Sequence, residues 1–212
     1  FEQDEYLKLI RAANSLAKAG VKVRGVPITV EMKYLIQFMI HSFIRPSDLR
    51  VLKNQHVKII NKENESNENF NKYLLLTHPA TKTTDQDVVT MPRAAAVYND
   101  LLEFQKSRGY GKKDDYVFFP NYLNRDTMIT RAGRLFSEIV KKSGVGNDDE
   151  KHTLYSLRHT AIMYRLLLGK INTLQLAKNA RTSQLMIEKY YASRLTNLMG
   201  VNELHSFKSD GN

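Results

Sequence analysis

The sequence predicts a mostly α-helical domain carrying one small antiparallel sheet of three strands, an α+β fold. Three observations carry this expectation. Apolar residues recur every three or four positions before residue 53 and again after residue 92. Between those stretches the period shortens to alternation, as a half-buried strand requires. Hydrophobic residues make up 42% of 212 residues, enough to build a sizeable core.

Residues 1–19 form the first helix, with Leu9, Ile10, Ala13 and Leu16 on one face and Gly20 ending it. Lys22 to Pro27 reads as a basic turn. Thr29 is a candidate N-cap for a helix that carries Leu35, Ile36, Phe38, Met39 and Ile40 inward. Pro46 suits the first turn of a short helix with Leu49 and Leu52 facing in. Gln55–Ile60, Tyr73–Thr77 and Asp87–Met91 read as strands, joined by an Asn/Glu-rich loop and a turn over 78–84. Further helices are predicted at 93–107, at 126–142 capped by Asp126 or Thr127, and at 156–169. Two more follow, one after Asn172 and one capped by Thr182 or Ser183.

The chain carries a net charge of +10. A balance this basic points to a polyanionic partner, nucleic acid before anionic membrane. No apolar run approaches the ~20 residues of a membrane span. The absence of cysteine excludes disulfides, thiolate metal sites and a cysteine nucleophile. Six scattered histidines make no metal-binding spacing, so neither metal nor other cofactor is expected.

The densest chemistry lies near the C-terminal end. Arg158 sits in the first turns of an apolar helix, within Tyr155-Ser156-Leu157-Arg158-His159-Thr160. Some thirty residues later a charged helix ends in Tyr190-Tyr191. A guanidinium binds phosphate and a phenol can attack it. Arg45 occupies a helix-to-helix corner, where it either presents its guanidinium to a ligand or pairs with Asp48. Lys82 lies at the tip of the second hairpin, as many exposed turn lysines do. The remaining basic residues (among them Lys22, Arg24, Lys53, Arg125 and Arg131) are candidate phosphate contacts or solvated charges.

Taken together, these boxes resemble the catalytic domain of tyrosine recombinases, the phage integrases. Phe43 to Leu52 is similar to that family's first box, with Arg45 at the catalytic arginine. Lys82 matches its hairpin lysine and Arg158 its second arginine. Thr182-Ser183-Gln184-Leu185-Met186-Ile187-Glu188-Lys189-Tyr190-Tyr191 resembles the segment whose last tyrosine is the nucleophile. The nine-residue interval from Thr182 lands on Tyr191. Tyr190 competes for that role, although its phase with Met186 and Ile187 suggests core packing. Two positions depart from the pattern. Tyr155 and Thr182 stand where the family keeps imidazoles, or tryptophan at the later position.

The resemblance implies a site-specific DNA recombinase that cleaves and rejoins strands through a 3′-phosphotyrosine, with Lys82 as general acid. It implies double-stranded DNA as partner, a homotetramer on DNA, accessory DNA-bending proteins, and a place on cytoplasmic DNA. It assigns residues 1–194 to the catalytic domain and 195–212 to a tail, exchanged between protomers or packed in cis. It sets an N-terminal core-binding domain outside this chain. Two alternatives stand beside it: a recombinase-like module that binds DNA without cleaving it, and a type IB topoisomerase, which shares the chemistry.

Overall fold

The computed structural model describes residues 1–62, 71–77, 87–146, 151–168 and 171–191, with backbone alone for Leu168 and Tyr191. The expected Lys82 turn, the Asn/Glu loop tip at 63–70 and the tail at 192–212 lie outside the described residues.

Helix α2 (Val30–Ser42) is the hub. Met32, Leu35, Ile36, Phe38, Met39 and Ile40 are all fully buried, so this helix is apolar on most of its circumference. A helix apolar all round must be enclosed. Three helices enclose it: α1 (Gln3–Lys18), α3 (Arg93–Lys106) and α5 (Leu154–Leu168). Helix α4 (Arg125–Ser143) packs along α1, contributing Leu135, Phe136 and Ile139 to the same core. The C-terminal elements are short, α6 (Thr173–Asn179) and α7 (Gln184–Tyr191).

The three-stranded sheet has the order β3 (Val57–Asn61), β4 (Lys72–Leu76), β5 (Val88–Val89), antiparallel throughout. Leu74 and Leu76 alternate inward on the central strand against α3. Thr90 prolongs the β4–β5 pairing, its hydroxyl accepting the Leu74 N–H at 2.9 Å.

The structure corrects the sequence reading at several ends. Lys22 to Pro27 is a hairpin, β1 (Lys22–Val23) with β2 (Val26–Pro27). Its two turn residues, Arg24 and Gly25, both have positive φ, which matches strand twist in a two-residue turn. Strand β3 begins at Val57, because Asn54–His56 forms a 3₁₀ turn held by the Lys53 N–H on His56 Nδ1. Helix α4 is capped by Asn124, whose side chain accepts the Thr127 N–H at 2.9 Å; neither Asp126 nor Thr127 is the cap. Helix α5 starts at Leu154, two residues before the expected start.

Arg125 also proves to be something other than a phosphate contact. Its guanidinium donates to the carbonyls of Leu49 (2.8 Å), Phe118 (2.9 Å), Phe119 (3.0 Å) and Tyr122 (3.1 Å). It also lies 3.8 Å from the centre of the Tyr116 ring. It clasps the 118–122 turn to the corner after α2.

Candidate active site

The site grows from the corner at the end of α2. Phe43 caps that helix in the left-handed region, with φ of 58°, and turns the chain. Arg45 follows in extended backbone ahead of Pro46, as a residue before proline prefers. The 3₁₀ turn Pro46–Arg50 then brings Asp48 back under Arg45. The Arg45 N–H donates to Asp48 Oδ2 at 2.7 Å. Asp48 is 1% exposed.

Three arginines meet around this corner. Arg158, in the second turn of α5, is 2% exposed. Its Nη1 donates to the Phe43 carbonyl and its Nη2 to the Ala180 carbonyl. The Arg45 guanidinium donates to the next carbonyl, that of Arg181. Consecutive carbonyls at the α6–α7 junction therefore hold Arg45 and Arg158 side by side. Arg181 itself has φ of 51°, a left-handed conformation that is uncommon for a residue with a Cβ. Its buried guanidinium donates to Asp48 Oδ2 as an ion pair.

Among the described residues, three guanidiniums thus face one carboxylate. Burial, and next the repulsion of Arg45, pull the Arg158 pKa down to about 10. Arg158 remains a cation at neutral pH, and the crowded positive charge favours an anion. A guanidinium has five N–H donors, of which the carbonyls account for two on Arg158 and one on Arg45.

A cleft of ≈ 190 Å³ opens beside Arg158. Tyr155, His159 and Ile162 line it from α5, and Thr182, Met186, Ile187 and Tyr190 from the opposite side. The Tyr155 and His159 rings meet edge to face, 4.9 Å between centroids, and His159 stands 6.3 Å from Tyr190. Burial, then Arg158, lowers the His159 pKa, so the imidazole is neutral near pH 7.

The structure therefore brings Arg45, Tyr155, Arg158 and Thr182 together. Lys82 and the Tyr191 side chain lie outside what it describes, although Tyr191 closes α7. Tyr190 is not a core residue: it is 53% exposed on the cleft, and Met186 is 41% exposed. Among the described side chains of α7, Ile187, at 1%, is the buried one. Asp48 orients the Arg45 backbone but pairs with Arg181. Arg181 was not singled out by sequence reasoning. Its signal was faint, a lone arginine next to the Thr182 motif. No cluster of three potential metal ligands occurs among the described residues.

No family model matches this chain, and no curated protein matches it. Solved structures do. The XerA recombinase aligns with a TM-score of 0.61 at 18% identity, over 97% of this chain and 64% of that one. A lambda integrase dimer bound to a COC′ core site aligns at 0.57 and 16%, over 90% and 58%. XerH recombinase bound to its difH substrate aligns at 0.60 and 13%, over 100% and 54%. This chain spans between about half and two thirds of the length of those structures. The fold is that of the tyrosine-recombinase catalytic domain. At these identities the likeness is one of fold.

Proposed function

We propose that the chain is the strand-cleaving and rejoining domain of a site-specific DNA recombinase. The observation that carries this reading is the convergence of Arg45 and Arg158 on adjacent carbonyls, next to a cleft closed by the tyrosine helix. Attack on a phosphodiester builds negative charge on the non-bridging oxygens, and two guanidiniums can neutralise it. Removing one such donor costs on the order of 10²–10³ in rate.

The chemistry is a transesterification. A phenolic oxygen of α7 attacks phosphorus and the bond from phosphorus to the 5′-oxygen breaks. The DNA is left as a 3′-phosphotyrosine, and the 5′-oxygen leaves as a hydroxyl with a proton from Lys82. The neutral imidazole of His159 is a proton acceptor in the same cleft. The reverse attack by a 5′-hydroxyl restores the diester, so no nucleotide cofactor is consumed. The nine-residue interval from Thr182 supports Tyr191 as nucleophile. DNA is the partner, and a homotetramer with accessory DNA-bending proteins is the assembly the resemblance implies.

Tyr155 and Thr182 favour a second reading, a module that holds DNA without cutting it, because neither cleft position carries an imidazole. One experiment separates the two. The protein is incubated with a library of short gapped duplexes and run on a denaturing gel. A covalent adduct in wild type and in Tyr190→Phe, lost in Tyr191→Phe, is the expected result. Salt-sensitive binding without adduct supports the holding module instead. An adduct that survives Tyr191→Phe and disappears in Tyr190→Phe overturns the assignment of the nucleophile.

A further inference from the structure

We propose that Arg181 is a positioning residue: it occupies Asp48 so that the Arg45 guanidinium stays available to an anion. The inference rests on the reading of this site as a phosphodiester site. Asp48 lies three residues from Arg45 and already accepts the Arg45 backbone N–H at 2.7 Å. Left alone, a 1% exposed carboxylate at that distance would draw the neighbouring guanidinium into a buried ion pair. Arg45 would then be neutralised within the protein and of little use to a phosphate. The structure shows the other arrangement. The cation on Asp48 is Arg181, from 133 residues away, while Arg45 turns to the Arg181 carbonyl.

One residue performs both tasks because of its backbone. The left-handed turn at Arg181 presents the carbonyl to Arg45 while the side chain runs to Asp48. The preceding carbonyl, that of Ala180, holds Arg158. Both phosphate-binding guanidiniums are thus registered on the two residues that lead into α7. Correct seating of the tyrosine helix and correct aiming of the arginines become one event.

The test uses inorganic phosphate as probe, followed by ³¹P line broadening, and the adduct assay on gapped duplexes. Glycine accepts positive φ without strain, so Arg181→Gly keeps the turn and the carbonyl and removes only the guanidinium. It is expected to weaken phosphate binding by about 10-fold and adduct formation by about 10²-fold. Adding Asp48→Asn removes the carboxylate that would capture Arg45. The double variant Arg181→Gly/Asp48→Asn is expected to return both readouts to within about 3-fold of wild type. A merely structural Arg181 instead lowers the urea midpoint of Arg181→Gly and leaves phosphate affinity per folded molecule unchanged. Phosphate affinity unchanged in Arg181→Gly, or a double variant no better than the single, overturns the proposal. If wild type forms no adduct, the recombinase reading fails while the phosphate titration still decides the role of Arg181.

Discussion

Arg125 and Arg158 are both partly or wholly buried guanidiniums bonded to main-chain carbonyls, and both have pKa values drawn down to about 10 by burial. They do opposite work. Arg125 spends its donors on carbonyls of the 118–122 turn and of Leu49 and Arg50, and its face on Tyr116, and no arginine is among the charges that shift its pKa. Arg158 uses two donors on carbonyls and has Arg45 and Arg181 as neighbours that raise its energy. Structure alone does not require like charges to crowd, because each neighbour destabilises the other cation. Under the proposed function an anion completes the arginine cluster and offsets that cost. The distinction between a clasp and an anion site therefore lies in the company a guanidinium keeps.

That contrast can be broken by substitution. Arg158→Ala or Arg45→Ala is expected to lower adduct formation by on the order of 10²–10³. Arg125→Ala should leave the rate per folded molecule nearly unchanged and lower unfolding free energy by about 3 kcal/mol, read by urea denaturation. Equal catalytic loss in both would erase the distinction.

A second comparison concerns buried ionisable groups away from the site. Burial drops the His41 pKa to about 4 from an ordinary 6.5. The unfolded chain thus binds a proton between those values that the folded chain refuses. Stability contributed by the neutral ring is present above pH 6.5 and is lost as pH falls toward 4. The expected loss is about 3 kcal/mol, from 1.36 kcal/mol per pKa unit. Urea denaturation at several pH values should show that slope, with this part absent in His41→Phe.

The smallest effect is expected at the sheet edge. The Asn179 side chain accepts the Val89 N–H at 2.8 Å and donates to the Val89 carbonyl at 2.9 Å, tying β5 to α6. Asn179→Ala should cost about 1 kcal/mol and speed amide exchange at Val89. An unchanged exchange rate would show that the clasp does not hold the strand.

Periodic features were legible in the sequence. The long helices and the β3–β4–β5 sheet follow from period, while Arg45 and Arg158 are singled out by the family resemblance, and the structure sets them side by side. Features that depend on distant partners were not. The partner of Arg181 is 133 residues away, and its positive φ has no glycine to announce it. The role of Arg125 depends on carbonyls that converge only after folding. Helical phase places Tyr190 in the core, yet it is 53% exposed, and among the described side chains of the short α7 the buried one is Ile187. Hydrophobic phase specifies a face only where a second element covers it.

The central claim is that a phenol of α7 takes the phosphate held by Arg45 and Arg158. The most direct measurement is mass spectrometry of the peptide that retains nucleotide after the gapped-duplex reaction and proteolysis. The account predicts a phosphodiester linkage on Tyr191, and on the order of 10²–10³-fold less modified peptide from Arg158→Ala. A modified residue outside α7, or an adduct undiminished in Arg158→Ala, would contradict it.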